Sequence, residues 1–237
     1  MTSSLCQYCG EPLERLYMEL GGVVRFCGFK PCNCEGARLH REKIEKRNRE
    51  LEEREQRKRR SEKIKRSGIP KRYQDAKGCF PEHIEAVRAG RSLIFTGGVG
   101  SGKTYAACSI AMELLDEMSV KFSSLSVINA AIFSDETTEE ALFYSLSRCK
   151  LLILDDLGKD KPSDWLSALT YKVINARYES ELPVIVTTNY TIVELRRRLC
   201  VGGDSTTADA IASRLYEMSG GKTVPFGGAD RRLRAND

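Results

Sequence analysis

Eight consecutive residues, Gly97-Gly98-Val99-Gly100-Ser101-Gly102-Lys103-Thr104, match the pattern G-x-x-x-x-G-K-[ST] in full. Glycines at these spacings let successive backbone N–H groups turn inward around phosphate oxygens, and a helix beginning just after them adds its positive end. Lys103 would then reach the β- and γ-phosphates of ATP, and the Thr104 hydroxyl would hold Mg²⁺. A second run, Leu151-Leu152-Ile153-Leu154-Asp155-Asp156, is apolar and ends in acid. Asp155 is suited to bind Mg²⁺ directly or through water, and Asp156 to orient or deprotonate an attacking water. A third run closes in Thr187-Thr188-Asn189, where the Asn189 amide can contact the γ-phosphate or that water. Arg214 and Arg232 are candidate phosphate sensors farther along.

Thiols form the other constellation. Five of the nine cysteines (Cys6, Cys9, Cys27, Cys32, Cys34) lie in the first 34 residues, and clustered thiols in a reducing compartment favour a metal over disulfides. Cys6-x₂-Cys9 and Cys32-x-Cys34 supply four thiolates for tetrahedral Zn²⁺, with Cys27 an alternative to one of the second pair. A segment of about 35 residues is also too small for a hydrophobic core to hold it alone. His40 lies too far into the next segment to be a ligand, and His83 reads as a surface residue. Cys79, Cys108, Cys149 and Cys200 read as ordinary buried packing positions.

Elements must position these groups. After Pro70, short apolar runs at 92–96, 120–127, 151–154 and 183–188 read as strands, the last two buried on both faces. Segments 103–118, 139–148 and 163–179 read as helices, followed by helical segments near 191–200 and 207–218 and a last strand around 222–226. Strand and helix in alternation imply a doubly wound α/β domain with a parallel sheet. From Arg38 to Arg66 the chain carries 14 Lys+Arg against 7 Glu, which leaves the rest of this 237-residue, +5 chain mildly acidic. That segment lacks Gly and Pro, and its four aliphatic residues, Leu39, Ile44, Leu51 and Ile64, are too sparse for a buried stripe. It reads as an exposed helix laced with ion pairs, ended by Ser67-Gly68-Ile69-Pro70. The division is therefore 1–37, a Cys-rich zinc-binding module; 38–67, a charged helical linker; and 68–237, the nucleotide-binding domain. The longest charge-free stretch, 122–134, has 13 residues, short of the roughly 18 to 20 that cross a bilayer. The first fifteen residues lack the pattern of a secretory signal, so the expected location is cytoplasmic.

Residues from about 68 to 234 resemble the AAA+ helicase-loader family, the DnaC-type and IstB-like ATPases. The resemblance rests on GIPKRY (68–73), the phosphate loop, LLILDDLG (151–158), VINARY (173–178), LPVIVTTN (182–189), IASRLYEM (211–218) and the closing GADRR. It implies an AAA+ P-loop ATPase domain, with Asn189 as the sensor-1 residue, Arg214 as the arginine finger given to a neighbouring subunit, Arg232 as the sensor-2 arginine and Tyr73 near the adenine. It also implies an ATP-dependent loader of a DnaB-type replicative helicase hexamer onto single-stranded DNA, self-associating with ATP bound, its zinc module contacting the helicase. An IstB-like ATPase that directs a transposase on DNA is the alternative within the family. A small-molecule P-loop kinase and a zinc-containing DNA-binding regulator are alternatives outside it. Two departures stand out: Asp156 where most AAA+ ATPases carry Glu, which points to a slow switch, and Ala210 where relatives tend to have Arg.

Overall fold

Gly21 and Gly22, both at positive φ, make the two-residue turn that joins β1 (Arg15–Leu20) to β2 (Val23–Phe29) as an antiparallel hairpin. This computed structural model describes residues 4–78, 80–134, 137–159, 162–203, 205–228 and 230. They form two compact units, Met1–Arg59 and Arg60–Asp237. In the first unit every residue of β1 is exposed, and the rings of Tyr17, Phe26 and Phe29 pack edge-on at 5.8 and 5.3 Å. Helix α1 (Glu35–Ser67) starts one residue after Cys34 and runs through the whole charged segment. Arg49, Arg57 and Arg59 each follow a glutamate by four residues and pair with it. Each exposed pair is worth only a few tenths of a kcal/mol.

The last turns of α1 belong to the second unit. There Arg60 pairs with Asp116 and donates to the Met112 carbonyl (3.1 Å), while Lys63 donates to the Asp116 carbonyl (3.1 Å). The helix stops at Gly68, whose φ of +75° suits a C-terminal cap. A 3-10 turn (Lys71–Tyr73) and α2 (Pro81–Arg88), with proline in its first turn, follow.

The sheet then builds up through β3 (Leu93–Gly97), α3 (Lys103–Leu114), β4 (Val120–Ser124), α4 (Leu125–Phe133), α5 (Glu139–Arg148), β5 (Leu151–Asp155), α6 (Asp164–Glu179), β6 (Val184–Thr188), α7 (Ile192–Leu199), α8 (Thr206–Met218) and β7 (Val224–Phe226). Its five strands are all parallel, in the order β4-β5-β6-β3-β7. Successive strand residues point to opposite faces, and the two faces feed two cores. Ile94, Leu152, Leu154, Val184 and Val186 enter the core made with α4 to α8. Leu93, Phe95, Leu151, Ile153 and Ile185 enter the core made with α2 and α3. This is the AAA+ arrangement of a parallel sheet flanked by helices.

Arg177 joins α6 to the rest. It is completely buried, and its guanidinium donates to the carbonyls of Leu146, Ser147, Cys149, Lys150 and Pro183. It thereby satisfies acceptors left over at the end of α5 and before β5 and β6.

Three expectations need correction. The run at 120–127 is strand only to Ser124, whose hydroxyl accepts the Val127 N–H and caps α4; a side-chain cap overrides apolar continuity there. Helix α3 stops at Leu114, not 118. His83 is half-buried, its ring 6.1 Å from Phe80 and 5.8 Å from Phe95. Cys108 and Cys149 are buried as expected, Cys200 only partly, and Cys79 lies outside the described residues. Among those residues no helix is long and apolar enough to cross a membrane.

Candidate nucleotide site and metal cluster

Three parallel strands end at one cleft of about 510 Å³, the edge at which open α/β sheets hold ligands. Strand β3 runs into the glycine loop, β6 into Asn189 and β5 into Asp155-Asp156. Gly97 and Gly100 take φ of +136° and +72°. A Cβ at Gly97 would overlap the Phe226 backbone carbonyl, so that position does not accept a side chain, and the positive φ of Gly100 strains any other residue there. Gly102, the N-cap of α3, offers no side chain to the first-turn N–H groups, which remain for ligand oxygens. Lys103 is 5% exposed. Its Nζ donates to the Gly97 and Gly98 carbonyls (2.8 Å each) and to Asn189 Oδ1 (2.9 Å).

β6 lies between β3 and β5, and its Thr187 fixes the end of β5, donating to Asp155 Oδ1 (2.7 Å) and accepting the Asp156 N–H (2.9 Å). Thr104 Oγ1 donates to the same Asp155 oxygen (2.7 Å). Burial pushes the Asp155 carboxyl up from its ordinary range, while the Thr187 and Thr104 hydroxyls and the Lys103 charge act against this. Asp156 has φ +52°, a left-handed conformation unfavourable for any residue with a side chain; its carboxylate lies 3.6 Å from Lys159 Nζ.

These residues fit ATP and Mg²⁺. The loop supplies amides and a lysine for phosphates, and Thr104 and Asp155 present touching hard oxygens of the kind Mg²⁺ takes. Opposite them, Tyr73 lines the cleft beside Arg72, whose guanidinium lies 5.1 Å from its ring centre. Val99 and Tyr105 line it too. The Tyr105 hydroxyl accepts the Lys77 N–H (3.1 Å) and donates to the Lys77 carbonyl (3.0 Å), tying the strap before α2 to α3. Ser101 is buried beneath the loop, its hydroxyl donating to the Gly98 carbonyl.

Arg214 does not line the cleft. It packs on α6, its guanidinium carbon 5.1 Å from the Tyr171 ring centre and 5.7 Å from that of Tyr178. Arg232 lies outside the described residues. Sequence reasoning missed Arg72, Tyr105, Lys159 and Thr187. Only Thr187 left a signal, as the first hydroxyl after the apolar run that opens β6.

In the first unit the sulfurs of Cys6, Cys9, Cys32 and Cys34 all lie within 4.8 Å of one another. Cys6 and Cys34 are 3.8 Å apart and Cys9 and Cys32 3.6 Å, close to the ~3.8 Å edge of a tetrahedron with Zn–S of about 2.3 Å. The N–H groups of Tyr8 and Cys9 hold the Cys6 thiol down at about 6. Cys9 moves the other way, to about 12: the Glu11 N–H lowers it, but burial and the hydrogen bonds shared with Cys32 and Cys6 outweigh that. Four sulfurs this close cannot all ionise without a cation between them, so the donor set fits Zn²⁺. Arg41 Nη1 braces the second pair by donating to the Cys32 carbonyl (2.6 Å). Cys27 is not part of the cluster; its thiol is exposed on β2 and donates to the Arg25 carbonyl.

A glycine cradle, a lysine and an acidic strand end on a five-stranded parallel sheet define a P-loop nucleotide-binding protein of the AAA+ class. The chain belongs to the family of IstB-like ATP binding proteins, whose model matches residues 39–237. It is 29% identical over 180 residues to the phage-like element PBSX protein XkdC of Bacillus subtilis, covering 70% of this chain and 64% of that protein. It is 30% identical over 113 residues to the replicative helicase loader DnaC of Escherichia coli, covering 46% of each. The chain thus spans less than two thirds of both relatives. The crystal structure of DnaI superposes with a TM-score of 0.56 at 22% identity, over 70% of this chain and 95% of that one.

Proposed function

We propose that this chain is an ATP-switched assembly factor, a slow ATPase that loads a hexameric DnaB-type replicative helicase onto single-stranded DNA in the cytoplasm. The observation that carries the reading is the convergence of Lys103, Thr104, Asp155 and Asn189 at the ends of three strands. In this reading the loop amides from Gly97 to Gly102 and Lys103 hold the β- and γ-phosphates. Mg²⁺, held by Thr104 and Asp155, supplies charge neutralisation on the phosphate oxygens. Asp156 orients an attacking water or takes its proton, Asn189 contacts the γ-phosphate, and Tyr73 lies beside the adenine. Arg214 reaches the nucleotide of a neighbouring subunit, Arg232 senses the nucleotide of its own, and subunits self-associate when ATP is bound. The zinc module, held by Cys6, Cys9, Cys32 and Cys34, grips the helicase.

A finger supplied by a neighbour is worth roughly 10³ to 10⁵ in rate, so turnover should depend on assembly. Lys103→Ala should weaken ATP binding by about 100-fold or more, near 2.7 kcal/mol, measured by fluorescence titration. Arg214→Ala should keep that binding and lose the turnover that rises with protein concentration. The partner is tested by co-purification with the replicative helicase of the same genome, retained in ATP and released in ADP. The family description favours a second reading, an IstB-like ATPase that directs a transposase; capture of a neighbouring transposase instead of the helicase would select it.

A further inference from the structure

Arginines of the second unit are used in different ways. Arg177 commits its terminal nitrogens to backbone carbonyls, and Arg196 commits Nε and Nη2 to Asp209. Arg214 does neither. It makes one long bond to the Ala210 carbonyl (3.4 Å), no carboxylate among the described residues pairs with it, and its buried Nε, like that of Arg177, has no partner. What holds it is aromatic. Tyr171 and Tyr178 lie seven residues apart on α6, about 10.5 Å along the helix axis. The guanidinium carbon lies over both rings, 5.1 and 5.7 Å from their centres. Tyr178 is itself fixed, its hydroxyl donating to Glu217 Oε1 (2.9 Å) one turn beyond Arg214 on α8. Stacking fixes the plane of a guanidinium through its faces. The donors radiate in that plane, and stacking does not consume them.

We infer that Tyr171 and Tyr178 form a clamp that aims Arg214 while leaving its N–H donors free for the phosphate oxygens of a neighbouring subunit's nucleotide. The inference rests on the reading of Arg214 as a finger acting in trans, and it makes the two tyrosines positioning residues for that reaction. An acidic or carbonyl partner in their place would hold the side chain equally well but occupy the donors that the reaction needs.

The test compares Tyr171→Leu/Tyr178→Leu with Tyr171→Phe/Tyr178→Phe in the full chain, each with ATP affinity, thermal midpoint and concentration-dependent kcat measured. The leucine pair should lose about 10-fold or more in kcat, with KM and ATP affinity unchanged. The phenylalanine pair, which keeps both ring faces, should stay within about 3-fold of wild type. Mixing the leucine pair with Asp156→Asn subunits, which keep the phosphate loop and its ATP but lack the group that activates water, should restore turnover, because the second partner contributes an intact finger to the first partner's intact site; a damaged fold would not be rescued. Wild-type kcat in the leucine pair, or a loss that phenylalanine fails to prevent and mixing fails to rescue, overturns the clamp. If Arg214→Ala itself turns over ATP normally, the finger reading fails; if Arg214→Ala loses turnover and the leucine pair does not, only the clamp fails.

Discussion

The two units solve the cost of ordering a chain in opposite ways. Between residues 4 and 59 the buried apolar side chains are Cys6 and Ala37, whereas the second unit seals Phe95, Ile153, Val186 and Leu215 completely. Fixing a residue costs about 1 to 2 kcal/mol in backbone entropy, and burial on that scale offsets it only in the second unit. Leu20, Val23, Val24 and Phe26 of the hairpin are at least half exposed. Their packing leaves the four sulfurs without an apolar frame, and a metal held between them would supply the order that burial does not. A site built on a hydrophobic frame can hold Lys103 and Asp155 in place by itself; a site built from thiols on either side of an open hairpin would be held by its own ligand.

The largest effect that would break this contrast is metal removal. Structural Zn²⁺ contributes roughly 10 to 16 kcal/mol in comparable peptides. Elemental analysis should find one zinc per chain, and chelation should abolish hydrogen-exchange protection in β1 and β2 while ATP affinity and the melting of the second unit stay unchanged. Hairpin amides that remain protected after chelation would mean that the first unit has a core of its own.

A smaller effect sharpens it from the other side. Leu152 is fully buried and Val24 is 63% exposed. Leu152→Ala should cost about 2 to 5 kcal/mol by denaturant titration, with zinc content unchanged. Val24→Ala should cost less than about 0.5 kcal/mol. Equal costs would show that burial does not distinguish the units.

The same contrast explains what could be read from the residues alone. LLIL and the VIV that opens β6 are apolar throughout because both faces of those strands are covered, and a run of that kind has few other uses. The loop before α3 was legible because its chemistry needs particular residue types at fixed positions. Segment 125–133, LSVINAAIF, has no charged face to give a helical period, so its first three residues read as a continuation of the strand and the cap at Ser124 was not recognised. The hairpin failed for a related reason: with both faces exposed, nothing enforces alternation, although Gly21-Gly22 was a usable turn signal. What Thr187 contacts, and which tyrosines surround Arg214, depend on strand order and helix packing, which no local pattern encodes.

The smallest effect is set by acid, and it also separates the units. Glu139 accepts from Trp165 Nε1 (2.6 Å) and Lys172 Nζ (3.1 Å), which hold its carboxyl below the ordinary value of 4.5. Glu117, beside Arg88, and Glu194, in the cap of α7, are lowered as well. A carboxyl depressed by folding adds stability that is complete above its unfolded value and is lost as pH falls through its folded one. The second unit should therefore weaken below about pH 4.5. Glu139→Gln should flatten that slope by no more than about 1 kcal/mol, because the pair is partly solvated. Acid reaches the first unit by another route, since releasing zinc requires the thiolates to take up protons, and thiols bind protons far more tightly than carboxyls do. Zinc release monitored with a chelating dye should accordingly precede the fluorescence change of Trp165, which reports the Glu139 contact. Simultaneous transitions would mean that the units are not held by separate forces.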